Sequence, residues 1–168
     1  MAQVKRLAYV QIEASDLDAW RNFGRDVLAC ELVESGDPLD VRFRVDDRPW
    51  RIQVTSGPRN DIVAVGLEVD CAEDFATLRE RLIDNGVTVR SGDAEACEAR
   101  GVRELLSFSD PAGMAVELSY GSLLRPQQPF HAPIAHGGFV TGDQGLGHLM
   151  LVVENVDEVH RFYCEMLG

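Results

Sequence analysis

The sequence predicts an α+β fold built from paired βαβββ modules. Strand periodicity alternates with helical periodicity twice, a Pro-rich stretch follows, and the end of the chain repeats the pattern of its beginning. At 168 residues the chain is long enough for one well-buried domain and part of another. We therefore divide it into a two-module domain at 1–121, a Pro/Gly-rich linker at 122–145, and the first strand and helix of a truncated second domain at 146–168.

The first module begins with a strand and a helix. Residues 5–14 alternate with the period of a strand, and apolar residues then recur at helical spacing from Leu17 to about Ala29. Alternation returns at 41–45 and resumes at 52–54, on either side of an Asp-Asp turn, which predicts a hairpin. The order of these elements is that of a βαβββ module.

The second module follows the same order. A strand is expected at 62–69, and a helix that stops at an Asn-Gly pair comes next. Its predicted buried stripe consists of Phe75, Leu78, Leu82 and Ile83. We expect a short strand and an irregular acidic loop within 86–102, and then two strands around the turn at 110–113.

The tail, residues 146–168, aligns with residues 7–29 without a gap. Four of the 23 aligned positions are identical, and most of the other apolar positions match, so an internal repeat is the better explanation. The tail is thus expected to begin a third module, with His148, Met150 and Val152 on the inward face of its strand. One unit alone leaves an apolar face uncovered, so we expect the tail to be mobile or paired with another chain.

Composition excludes several classes of function. A net charge of −12 repels nucleic acid, and no apolar run is long enough for a membrane span. Neither a nucleic-acid partner nor a membrane partner is therefore expected. The four cysteines form no C-x-x-C pair and are interpreted as reduced, mostly buried thiols, which is consistent with the cytoplasmic location that we expect.

Two motifs carry a resemblance to a known family. The stretch "GFVTGDQGLGH" at 138–148 resembles the entry to the catalytic domain of type I extradiol ring-cleavage dioxygenases, such as 2,3-dihydroxybiphenyl dioxygenases. The turn "DPAGMAVEL" at 110–118 is common to the wider vicinal oxygen chelate superfamily, which also includes glyoxalases. The resemblance extends over the whole chain and implies the vicinal oxygen chelate fold and a role in aromatic hydrocarbon catabolism.

The resemblance also implies the chemistry. His148 matches the first of three ligands in a two-His, one-carboxylate triad that holds Fe(II), and the substrates would be a catechol-type ring and O2. Met150 would form a wall of the substrate pocket, although plain core packing is an equal alternative. In the family the other ligands and the acid/base residues lie in a fourth module, so we expect this chain alone to be inactive. Family enzymes are commonly oligomeric, and a homo-oligomer is expected here.

The first two modules are not expected to hold a metal. An overlay of the modules places Tyr9, Ala64 and Glu117 at the positions that would correspond to ligands, and these residues do not form a facial triad. The other histidines also lack the spacing of a zinc site: His131, His136 and His160.

Two alternatives to an enzyme stay open. One is a non-catalytic small-molecule binding protein of the glyoxalase/bleomycin-resistance type, with Trp20, Phe43 and Trp50 along a cleft between the modules, unless these three are core or rim residues. The other is a scaffold domain whose role is oligomer assembly.

Overall fold

A computed structural model describes residues 2–33, 35–134 and 136–168. Eight strands form one mixed sheet in the order β2-β3-β4-β1-β5-β8-β7-β6, which confirms the predicted α+β fold. Within the described part of the chain, no helix is both long enough and apolar enough to cross a bilayer.

The first module has the predicted strand, helix and hairpin, and a further short strand, β2, lies between the helix and the hairpin. Its helix α1 continues as a π-helical turn over Phe23–Val27, close to the end predicted near Ala29. The elements are β1 (Arg6–Ala14), α1 (Leu17–Asn22), β2 (Glu31–Val33), β3 (Asp40–Arg44) and β4 (Ile52–Ser56).

The second module repeats this order with one addition. Residues 94–100 form a helix, so the expectation of an irregular loop here was wrong. Asp93 caps this helix at its N-terminus, and Gly101 ends it in the left-handed conformation. The elements are β5 (Asp61–Glu68), α2 (Ala72–Asp84), β6 (Arg90–Ser91), α3 (Ala94–Arg100), β7 (Glu104–Ser109) and β8 (Ala115–Tyr120).

The modules join through their first strands. β1 pairs antiparallel with β5, and in each module the first strand also pairs parallel with the last, β1 with β4 and β5 with β8. The two modules therefore form equivalent halves of the sheet, as in the vicinal oxygen chelate fold that the sequence predicted.

Helix α2 packs against the strands of the second module. Phe75, Leu78 and Leu82 of α2 are buried against strand residues of the second module, as predicted, whereas Ile83 is 46% exposed and lies off the buried stripe. Among the cysteines, only Cys30 is buried, so the expectation of mostly buried thiols was wrong.

The tail folds differently from the prediction. Residues 146–153 form no strand, because the strands that would flank them as β4 and β5 flank β1 are not among the described residues. A helix does follow: α4 (Val156–Arg161) continues as a π-helical turn over Phe162–Leu167. Phe162 and Leu167 are buried in the core of the second module, so the tail helix packs against the two modules.

Candidate functional site

His148 lies on the exposed side of the tail. The prediction that its strand face would point inward was wrong for this structure: His148 is exposed, while Leu149 is half-buried. The imidazole makes no side-chain hydrogen bond within the described residues. An exposed imidazole of this kind is available as a metal ligand.

Met150 and Val152 share the exposed side with His148. They are 87% and 98% exposed, respectively, so neither belongs to the core. This result removes core packing as the role of Met150 in the described structure. An imidazole beside two apolar side chains is the composition expected of one wall of a ligand site.

The two modules contain a second cluster of functional groups, which includes two of the three residues that the overlay singled out. Tyr9, Gly66 and Glu117 lie side by side across β1, β5 and β8. The Tyr9 hydroxyl donates to Glu117 Oε2 over 2.5 Å. A Cβ on Gly66 would lie 2.4 Å from the Tyr9 ring, so glycine is required for the ring to cross β5 and reach the carboxylate. Ala64, two residues away on β5, offers no ligand atom.

Arg100 neutralises Glu117. Its Nε and Nη2 atoms donate to Oε2 and Oε1 of Glu117 at 3.0 and 2.8 Å, a bidentate pair from the end of α3. The Tyr9 ring also packs at 4.7 Å on Trp50, whose Nε1 donates to the Ala99 carbonyl. The carboxylate thus has a guanidinium and a phenol as partners, and the sequence did not predict Arg100.

Tyr9 stays protonated in this cluster. Burial raises its pKa well above the usual value, and the adjacent negative charge of Glu117 raises it further. Tyr9 is therefore a hydrogen-bond donor at neutral pH.

The described residues do not by themselves form an iron centre. Among them, no group of three His, Cys, Asp or Glu side chains is placed to hold a metal ion. His148 fits one position of an imidazole and carboxylate site. Glu117 does not fit such a position, because Arg100 already neutralises its charge.

The cleft that a binding protein would need is not formed by the predicted aromatic residues. Phe43 and Trp50 are 1% and 5% exposed and belong to the core, and Trp20 is half-buried on α1. A groove of about 1050 Å³ lies elsewhere, between the end of α2, the turn at 110–113 and the tail helix. Three arginines and three acidic residues line it, so it favours neither sign of ligand charge.

Comparison with known protein sequences finds relatives that are named as dioxygenases. Residues 7–57 match the family model "Dihydroxybiphenyl dioxygenase BphC D1". The chain is 39% identical to 3-methylcatechol 2,3-dioxygenase of Pseudomonas putida over 98% of this chain and 56% of the relative. It is 38% identical to biphenyl-2,3-diol 1,2-dioxygenase of Paraburkholderia xenovorans over 98% of this chain and 55% of the relative. An iron-dependent extradiol dioxygenase of Rhodococcus jostii is 36% identical over 98% of this chain and 54% of that relative.

Solved structures agree with these sequence matches. A crystal structure of BphC, a halotolerant catechol dioxygenase, matches with a TM-score of 0.94 at 30% identity, over 100% of this chain and 56% of that one. A crystal structure of catechol 2,3-dioxygenase matches with a TM-score of 0.95 at 31% identity, over the same shares of the two chains. The chain spans about half the length of the relatives it matches. By sequence and by fold, the chain is thus similar to extradiol dioxygenases over about half of their length.

Proposed function

We propose that this chain is part of an Fe(II)-dependent extradiol dioxygenase that cleaves a catechol-type ring with O2, with a substrate resembling 2,3-dihydroxybiphenyl. In this proposal, residues 1–121 form an N-terminal domain without metal, 122–145 a linker, and 146–168 the beginning of the catalytic domain. His148 is one iron ligand, and Met150 lines the substrate pocket.

The exposed imidazole of His148 carries the proposal. Met150 and Val152 lie beside it and are both exposed. Such exposure is unusual for two neighbouring apolar side chains unless further residues cover them. The relatives are named as dioxygenases of 3-methylcatechol and of biphenyl-2,3-diol, and one as iron-dependent, which supports both the substrate class and the metal.

The roles of the residues follow from their chemistry. When bound, iron would supply Lewis acidity toward both hydroxyl groups of a catechol and a position for O2. His148 would contribute one neutral nitrogen ligand to it. Met150 would contribute a flexible, polarizable thioether against the face or edge of an aromatic ring.

The test compares two exposed histidines of the tail in protein expressed from the complete gene. We expect His148→Ala to lower iron affinity at least tenfold and to abolish O2 uptake with 2,3-dihydroxybiphenyl. His160→Ala, on α4, serves as the matched control and should retain both. Iron affinity and O2 uptake that are unchanged in His148→Ala would refute the role of His148, whereas wild-type protein without ring cleavage would refute the enzyme proposal.

Three further parts of the proposal rest on the sequence. The 168-residue chain alone should take up no O2 with catechols, because the described residues offer one ligand. We also propose a homo-oligomer and a cytoplasmic location. Light scattering on the purified protein tests the homo-oligomer: a mass equal to that of a single chain would contradict it.

A further inference from the structure

We propose that residues 4–7, which we call the clasp, hold both ends of the tail and thereby fix the position of His148. This inference builds on the proposed function, because it gives His148 a role that requires a defined position. The clasp lies at the start of β1, far in sequence from the tail, and contacts the tail on both sides of His148.

The first attachment lies just before His148. The Leu146 N–H donates to the Leu7 carbonyl over 3.0 Å, and Arg6 Nε donates to the Asp143 carbonyl over the same distance. Leu7 also forms a parallel bridge with Gly145. The backbone two to five residues ahead of His148 is therefore bonded directly to β1.

Gly145 makes this close approach possible. Its φ is +71°, and a Cβ there would lie 2.0 Å from the Leu7 carbonyl oxygen, which no side chain can tolerate. Gly147 provides a contrast, since its φ is +87° but a Cβ would meet no atom within 4 Å. Both glycines relieve backbone strain, and only Gly145 is also required by contact with the clasp.

The second attachment lies beyond His148. The Val4 N–H donates to the Leu167 carbonyl over 2.9 Å, and Leu167 is 1% exposed. Arg81 Nη1 of α2 donates to the Met166 carbonyl over 2.8 Å, and the Tyr163 hydroxyl donates to Asp110 Oδ2 over 3.0 Å. The tail helix thus cannot move away from the modules without breaking hydrogen bonds and exposing its core residues.

The ion pair between Arg51 and Asp46 is hydrogen-bonded to β1 next to the clasp. Arg51 Nη1 donates to the Ala8 carbonyl, next to Leu7, over 2.7 Å, while its Nη2 donates to Asp46 Oδ2 over 2.6 Å. Burial raises the pKa of Asp46, but the Arg51 ion pair, the Arg48 N–H and the Thr141 hydroxyl outweigh it and leave the pKa below its usual value. Thr141 thereby connects the linker to the same ion pair.

The clasp matters because residues 147–153 have no strand partner in the described part of the chain. Within the described residues, the His148 backbone is held by the two attachments at its ends. A metal ligand has to be held to within a fraction of an ångström of its working geometry, so loss of either attachment should affect binding before it affects the fold. The clasp residues are positioning residues, since none of them lies in the site itself.

The first test compares Gly145→Ala with Gly147→Ala, without iron. Both substitutions place a side chain at a residue of positive φ, but only Gly145→Ala disturbs the hydrogen bond between Leu146 and Leu7. We expect amide exchange of Leu146 to become at least tenfold faster in Gly145→Ala and to stay within threefold of wild type in Gly147→Ala. Equal changes in the two variants would overturn the proposal, because backbone strain would then explain them.

The second test uses two arginines that share one partner. Arg6 and Arg48 both pair with Glu68, but only Arg6 also donates to the tail. The imidazole NMR signal of His148 should shift in Arg6→Gln and stay in place in Arg48→Gln. A signal that is unmoved in Arg6→Gln would overturn the proposal.

These measurements keep the two proposals separate. Exchange of Leu146 and the His148 signal are read without metal, so they test the clasp even if His148 binds no iron. In iron-loaded protein, we expect Gly145→Ala to weaken iron binding at least fivefold more than Gly147→Ala does. Equal iron affinities would refute the positioning role, whereas the His148→Ala comparison alone decides the ligand role.

Discussion

Replacement of Arg100 with methionine should show how much free energy of unfolding is lost when the Glu117 carboxylate has no cation beside it. The Arg100 and Glu117 side chains are only 22% and 12% exposed. Removing one partner of a fully buried ion pair costs about 3–5 kcal/mol. Because water still reaches part of Arg100, and because Tyr9 continues to donate to Glu117, we expect Arg100→Met to lower the free energy of unfolding by about 2–3 kcal/mol at pH 7.

The assay is urea unfolding followed by tryptophan fluorescence. Urea is preferable to guanidinium, which would itself pair with the exposed carboxylate in the variant. The informative comparison is the double variant Arg100→Met/Glu117→Gln, in which the uncharged amide needs no cation. The double variant should be more stable than Arg100→Met alone by about 1–2 kcal/mol, and comparison with Glu117→Gln alone then gives the coupling energy of the pair.

Two outcomes would refute the reasoning. A loss below about 0.5 kcal/mol in Arg100→Met would mean that the ion pair contributes no more than an exposed one. A double variant that loses the sum of the two single losses would mean that Arg100 and Glu117 act independently. In either case, Arg100 would not be the group that neutralises Glu117.

Two further predictions concern tyrosines. Gly66→Ala places a methyl group 2.4 Å from the Tyr9 ring and should force the ring off Glu117, with a loss of about 2 kcal/mol in urea; a loss near zero would show that the ring moves freely. Burial raises the pKa of Tyr163 above its usual value of 10, and the nearby Asp110 raises it further. Tyr163 therefore ionises at a lower pH in the unfolded protein than in the folded protein, so the free energy of unfolding should fall above about pH 10. Tyr163→Phe should flatten this fall by up to about 1.4 kcal/mol per pH unit in urea titrations at pH 9 to 11, and an unchanged slope would contradict the assignment.

The sequence predicted elements whose signal is local. The apolar stripe of α2 and the alternation of β1 identify their structures without knowledge of any partner. α3 was missed because it has no buried residue and hence no apolar stripe. Its cap at Asp93 and the glycine at its end were the signals that could have found it.

The sites were harder to predict because their partners are distant in sequence. Tyr9 and Glu117 are 108 residues apart, and their contact depends on the register of β1, β5 and β8. Motif resemblance singled out His148, whereas the inward orientation predicted from strand periodicity was wrong, because an inward face requires neighbouring strands. Gly145 lay within the same motif, yet its purpose becomes visible only beside the Leu7 carbonyl.

The clasp also has a consequence for the order in which the protein folds during synthesis. Arg6 and Asp143 are separated by 137 residues, so at a synthesis rate of about 5–20 residues per second the start of β1 exists for roughly 7–27 s before its partner in the tail is made. During that interval β1 can pair with β4 and β5, while the backbone groups that the tail will occupy remain hydrated. Formation of the His148 region is therefore a late folding event that depends on the first residues to be translated.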